Sequence, residues 1–571
     1  MARRPASARV LAVARGDQPG DLLITGGRVL SPATREWVET DLIIADGIVA
    51  GWNGPKREAL QVIDVGGAAL TPGLIDAHMH LESTKLWVDE FVRTVLPLGT
   101  TAVAADPHEI ANVFGIPGVA ALVEAAARLP FTFGVCASSC VPASPFESSG
   151  AELTARDIRA LMDEHGAIGV AEVMNYPGVV AGDPEMLARI ATAGRRRVDG
   201  HAPGLGGPQL DAYLAAGVES DHECTTFDEA EEKRRKGMWI FIRQGSASQN
   251  LDALIPTVLR HGTDHVALCT DDREPDTLLE RGHVNDCLAL AVAAGVSEID
   301  ALVMATANPA EYHGFTELGS LGPGHQADIV CFDRLAGFRP RMVWQAGRLV
   351  ATEGRIVPDA VPSTPPPDWM CRSVHLDPAP DGDQFRLRSG STARVIGIEP
   401  GSLTTRSLVT DPSGPGIARL AVVERHRGTG RVGLGWVHGF GLERGALAST
   451  VGHDAHNVMV VGAADDRGPD AMAAATRRLA ELGGGQVVVD GNGQVVAELA
   501  LPVGGLMSDQ TAATVARGLD VLVAAARQLG VTLPAPFMQL SFLGLSVIPE
   551  LRLTDQGLVD VNAFELVPVT V

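Results

Sequence analysis

The chain is short of positive charge. Over 571 residues, 46 lysines and arginines stand against 69 aspartates and glutamates, a formal net charge of −23. Nucleic acids and anionic membrane faces bind cationic surfaces, so neither is expected as a partner, and a small neutral or cationic substrate fits better. Cysteine is also sparse, seven residues with no C-x-x-C among them. That argues against a disulfide framework and a zinc ribbon, leaves the thiols a role in apolar packing, and predicts a reducing cytoplasm as the location. No run of about 18 uncharged apolar residues occurs, so no transmembrane helix is expected. No internal repeat of solenoid length stands out. The start, MARRPASARVLAVARG, has an apolar run broken by Arg15, and residues 1–20 read as a disordered lead-in.

What is present is ordinary globular material, 46% hydrophobic and 20% charged, in a chain long enough for several domains. Residues 21–70 alternate between apolar and polar and carry turn signals, as in DLLITGGRVLSP and TDLIIADGIVAGW. A related pattern returns at 318–350, so residues 21–70 and 317–370 are expected to share one small β-sandwich of antiparallel strands. Between them, over 71–316, apolar runs alternate with Ala- and Leu-rich segments, the rhythm of a parallel sheet. Eight strand candidates can be counted: AALTPGLIDAH, TTAVAAD, FTFGVCAS, AIGVAEV, RRVDGH, GVESDH, MWIFIRQGS and HVALCTD. Eight suggest an α/β fold of the TIM-like (β/α)8 barrel type, with its reactive groups at the C-terminal ends of the strands. The Pro-rich VPDAVPSTPPPDW, 357–369, reads as a linker or wrapping arm. Residues 371–571 mix strands with helical stretches at 469–482 and 510–529, a C-terminal α+β domain. Its GQVVVDGNGQVV holds an NG-type hairpin.

In TPGLIDAHMHLEST, His78 and His80 follow a buried strand. Residues two apart in a strand share a face, so both imidazoles can reach one point. Strand four ends in Glu172, strand five in His201, strand six in His222 and strand eight in Asp271. Six nitrogen and oxygen ligands can therefore converge at one mouth, too many for one four-coordinate zinc. Two divalent ions bridged by a carboxylate are predicted, with zinc, iron or manganese suited to such ligands. Their chemical value is a water acidified enough to supply hydroxide at neutral pH.

The order H-x-H, bridging acid, His, His, Asp on eight strands resembles the amidohydrolase superfamily. PGLIDAHMHLEST, TTAVAADPHEIANVFG, SSCVPASPFESSGAEL, GVAEVMNYPGVV, DGHAPGL, SDHECTTFDEA and CTDDREPDTLLERGHVND resemble the motifs of the bacterial adenine deaminase family, as do HDAHNVMVVG, LPVGGLMSD and PFMQLSFLGLSVIPELRLTDQGLVDV. The resemblance covers about residues 20–571. It implies hydrolysis of adenine to hypoxanthine and ammonia, by hydroxide attacking C6. It also implies that His78 and His80 hold the more buried ion, Glu172 bridges, His201 and His222 hold the second, and Asp271 touches a metal and the nucleophilic water. Manganese or iron(II) is favoured, with zinc possible. Many relatives bridge with a carboxylated lysine; the fourth strand here offers Glu172 and no nearby lysine, which separates the chain from dihydroorotase- and hydantoinase-like hydrolases of cyclic amides, the alternative reading along with other aminopurines.

Attack at C6 of an aminopurine builds charge on the ring and needs a proton for the departing amine. Asp271 is placed to take the hydroxide's proton and deliver it to the amine. Glu223 is either a ring-nitrogen donor or a solvated acid pointing away from His222. Glu82, His108 and Glu109 are expected to contact the purine or orient metal ligands. Asp272 and Arg273 are read as an ion pair. His453 and His456 have no evident partner cluster and are read as structural, or as a loop near the mouth. The basic runs 195–197 and 233–236 are read as solvated helix ends. The large apolar third domain makes a homo-oligomer, a dimer first, the expected assembly.

Overall fold

The computed structural model describes residues 6–52, 58–387, 392–399, 402 and 404–571. The two flanks of the central region join in one continuous nine-stranded sheet, rather than the two separate sheets of the expected sandwich. Its ladder runs unbroken because Ala69–Pro72 pairs with Gly20–Ser31 on one side and antiparallel with Ile329–Phe332 on the other. Residues 8–15 correct the disordered lead-in: Ala8–Arg15 is a helix whose first turn is capped by the Ser7 hydroxyl and whose end closes on Gly16 at φ 85°. Apolar spacing explains it, since Val10 and Val13 are buried against Leu23, Ile43, Ala45 and Ala50 of the sheet.

Eight short strands follow: Leu74–Met79, Thr100–Ala105, Thr132–Val135, Gly169–Val173, Arg197–Gly200, Ser220–Asp221, Trp239–Arg243 and Val266–Cys269. Neighbours pair in parallel within three groups, the first to third, the fourth with the fifth, and the sixth to eighth. Single parallel bridges, Ala137 to Val170 and Met79 to Asp271, link the third strand to the fourth and the eighth back to the first. The fifth and sixth are joined by the Glu219 N–H donating to the Val198 carbonyl at 3.0 Å. Helices intervene between successive strands and cover them, so Leu74–Met79, Thr100–Ala105 and Trp239–Arg243 are buried at every position. That is why these strands read as continuous apolar runs instead of alternating ones.

The segment after Ile356 wraps the body as an arm. Trp87 Nε1 donates to its Thr364 carbonyl, and Asp89 accepts from the Thr364 N–H at 3.0 Å. Beyond it stands a C-terminal unit with an eight-stranded sheet and the helices Gly468–Leu482 and Ala512–Gln528. Gly485–Val489 and Val495–Ala500 form the hairpin expected around the NG turn. A final three-stranded sheet, 551–567, completes it. Among the described residues no helix is long and apolar enough to cross a membrane.

Candidate active site

The parallel strands end together, and their last residues turn polar at the same level. Asp76 organises this edge from beneath. Fully buried, its carboxylate accepts from the backbone N–H groups of His78 and Thr270 at 3.2 and 3.1 Å and from the Thr270 hydroxyl at 2.5 Å. The first and eighth strands are thereby tied just below His78, His80 and Asp271. Asp271 itself has φ 54°, a left-handed conformation that costs a non-glycine residue strain and that clusters at functional positions.

The six residues anticipated as ligands lie together. His80 Nε2 is 3.4 Å from Glu172 and 3.1 Å from Asp271. His201 Nδ1 lies 2.7 Å and His222 Nε2 3.3 Å from the other Glu172 oxygen. His78 Nε2 lies 3.6 Å from Asp271, and its ring stacks on His222 with centroids 4.1 Å apart. The grouping is finer than expected: ligand atoms of His78, His222 and Asp271 fall within 4.8 Å of one another, and so do those of His80, Asp106, His108 and Glu172.

The donor set fits divalent metal. His80 Nδ1 contacts the Asp106 carbonyl at 2.9 Å; donating there leaves Nε2 with its lone pair toward the acids, the tautomer a metal ligand needs. His78 Nε2 is buried without a hydrogen-bond partner. Burial opposes charge on Glu172, yet hydrogen bonds from His201 and His222 hold it well below the usual carboxylate range. Asp271 is likewise held low against burial, by the Arg243 charge and by His78 and His80. Burial works against a protonated His222, but its bond to Glu172 and the charges of Glu172, Asp271 and Glu223 raise it to about 9. Two ionised, buried carboxylates ringed by imidazoles form a centre that calls for positive charge.

The cleft above this centre is lined by His80, His108, Glu172, His201, His222, Glu223, Arg243 and Asp271, with Met174, Asp272, His453, Asp454, Phe542, Leu545 and Ile548. Glu223 faces it, within 3.5 Å of His222, rather than pointing away. The sixth strand ends at Asp221, so strand alternation no longer governs residue 223. Arg243, which ends the seventh strand, donates to both Glu223 oxygens and to Asp271 at 2.7 Å. Sequence reasoning missed it, although WIFIRQ places a lone arginine at the same level as the histidines. It also missed Asp106, whose signal was the DPHE that follows strand two.

Of the three residues expected at the substrate, His108 reaches the cleft. Its Nδ1 lies 3.3 Å from Asp106 and 3.5 Å from Glu172, and its Nε2 3.6 Å from Asp454. Glu82 and Glu109 lie behind the wall. Glu82 accepts from the Ile110 N–H at 2.9 Å, and burial together with the Glu109 charge pushes it up to about 7. Glu109 sits 3.4 Å from His456 Nε2 and 3.9 Å from His453 Nδ1. The paired histidines therefore do have a partner cluster, supplied from about 345 residues away in sequence and invisible to spacing. Asp272 and Arg273 are not paired to each other: Asp272 accepts from Ser83, while Arg273 binds Asp286 at 2.8 Å. Nor is the 233–236 run all solvated. Lys233 is fully buried, donating to Asp221, to Glu229 and to the Ala202 carbonyl.

The comparisons follow the same outline. Residues 69–350 match the amidohydrolase family and residues 401–565 the adenine deaminase C-terminal domain. The adenine deaminase of Desulfatibacillum aliphaticivorans is 44% identical over 98% of this chain and 99% of that protein. The chain belongs to the adenine deaminase family. That of Methanothrix thermoacetophila is 42% identical over the same shares, and adenine deaminase 2 of Carboxydothermus hydrogenoformans 41%. The match spans the arm and the C-terminal unit as well as the strands that carry the site.

Proposed function

We propose that this protein hydrolyses adenine to hypoxanthine and ammonia, on a (β/α)8 barrel in which the ends of the first, fourth, fifth, sixth and eighth strands hold two divalent ions, manganese or iron(II) ahead of zinc. The observation that carries this is the full-length relationship to adenine deaminases combined with one buried centre of four histidines and two carboxylates. His78, His80, Glu172, His201, His222 and Asp271 would hold the ions, with Glu172 in reach of both halves of the cluster. Bound there, such ions would acidify a water enough to make hydroxide available at neutral pH.

The chain's own residues do the rest. Attack at C6 drives electrons toward N1, which needs a proton as charge builds. Glu223 stands on the cleft wall beside His222, oriented by Arg243, and passes to N1 the proton that the attacking water gives up. Asp271 takes the proton released as the C6–O bond forms and returns it to the amine, so ammonia leaves as the C6–N bond breaks. Arg243 donates to both oxygens of Glu223 and to one oxygen of Asp271 and thereby fixes the spacing of the two acids. His108, pinned between Asp106 and Asp454, borders the substrate edge.

Asp271→Asn tests the assignment. It keeps the shape of the cleft but loses the proton carrier, so adenine binding should stay measurable while kcat falls by roughly 10²- to 10⁴-fold. Near-normal turnover would remove Asp271 from the mechanism.

A further inference from the structure

The two sides of the cleft differ. The strand ends supply His80, Glu172, His201, His222, Glu223 and Asp271, whereas the C-terminal unit, besides His453 and Asp454, covers it with the apolar side chains of Phe542, Leu545 and Ile548. This cover is a packed piece of structure. Phe542, Leu545 and Ile548 form their own apolar cluster with Met538 and Val547. The Phe542 ring also stacks on His453 at 4.7 Å and 11°, beside the Asp454 that reaches His108.

A purine that presents C6 and N1 to Asp271 and Glu223 directs its five-membered ring, and N9, away from the strand ends. This orientation rests on the reading given under Proposed function. N9 then meets the apolar cover. A sugar at N9 would have to displace Leu545 and Ile548, and any hydroxyl left against these side chains without a partner would add a desolvation cost to the steric one. We propose that Leu545 and Ile548, held in place by the Phe542–His453 stack, are specificity determinants that admit the free base and exclude N9-substituted purines. The C-terminal unit is thereby part of substrate selection.

The test compares kcat/KM for adenine and 9-methyladenine in the metal-loaded full-length protein, with adenosine as the larger probe. Leu545→Ala and Ile548→Ala should raise the 9-methyladenine to adenine ratio by about 10-fold or more, the worth of a methyl-sized space in such a pocket. Ile548→Val, the milder change, should move it the same way by less. An unchanged ratio with adenine turnover retained would overturn the proposal. So would loss of adenine turnover in Ile548→Val and Leu545→Ala alike without any gain on 9-methyladenine, because the segment would then be structural. If Asp271→Asn left adenine turnover intact, the orientation itself would fail; an unchanged ratio beside an inactive Asp271→Asn would sink the specificity role alone.

Discussion

Glu172 contacts four imidazoles, those of His80, His108, His201 and His222, through its two oxygens. A residue so placed is the natural bridge, and Glu172→Gln should leave fewer than two metal equivalents per chain by elemental analysis; full occupancy with unchanged activity would rule the bridge out. A second residue-scale consequence lies far from the cleft. Asp328 accepts from the Ala346 N–H and from Gln326, and burial still pushes its carboxyl up to about 6. Because this lies above the unfolded value near 3.9, the folded state holds the proton more tightly. The resulting stabilisation is complete below about pH 4 and is lost as pH rises through about 6, in total about 3 kcal/mol. Asp328→Asn mimics the protonated group, so its melting temperature should exceed that of the wild type near neutral pH and converge with it near pH 4. Parallel curves across that range would contradict the assignment.

At the scale of elements, strand ends were legible and their surroundings were not. His78, His80, Glu172, His201, His222 and Asp271 could be found because each follows an apolar run that reads as a strand. Arg243 and Asp106 obey the same rule but are residue types with many bland roles, and only the fold brings them to the others. Glu223 stays ambiguous in the sequence because alternation along a continuing strand would turn it away from His222, whereas the sixth strand stops after two residues and alternation no longer sets its side. Lys233 shows the opposite failure. It sits in a run of four basic residues that reads as solvent-facing, yet helix Phe227–Arg235 buries it against Asp221, next to His222. Asp221 is driven well below its usual range by Lys233 and His222 despite burial. Lys233→Met would leave that carboxylate uncompensated, a loss of about 3–5 kcal/mol for a broken buried pair. A clear drop in melting temperature and weaker metal retention at His222 should follow; an unchanged melt would show the pair to be dispensable.

At the scale of the whole molecule, the cleft is made by two regions far apart in the chain. The strand ends carry the chemistry, and the C-terminal unit adds His453, Asp454, Phe542, Leu545 and Ile548. Sequence patterning found that unit's helices within two residues, Gly468–Leu482 and Ala512–Gln528, since their apolar periodicity is local. It could not find what the unit does, because the contacts of His453 and His456 with Glu109 cross some 350 residues and leave no trace in spacing. The nine-stranded sheet repeats the point: its strands could be read one by one, but not their union in one ladder.

The measurement that bears most directly on the account is ammonia release from adenine and adenosine by the full-length protein, reconstituted separately with manganese, iron(II) and zinc, with ring opening of dihydroorotate, which frees no ammonia, followed in parallel. Release from adenine with equimolar hypoxanthine, none from adenosine and no ring opening of dihydroorotate is the predicted result. Silence on adenine by protein carrying two metal equivalents, or hydrolysis of dihydroorotate in its place, would contradict it.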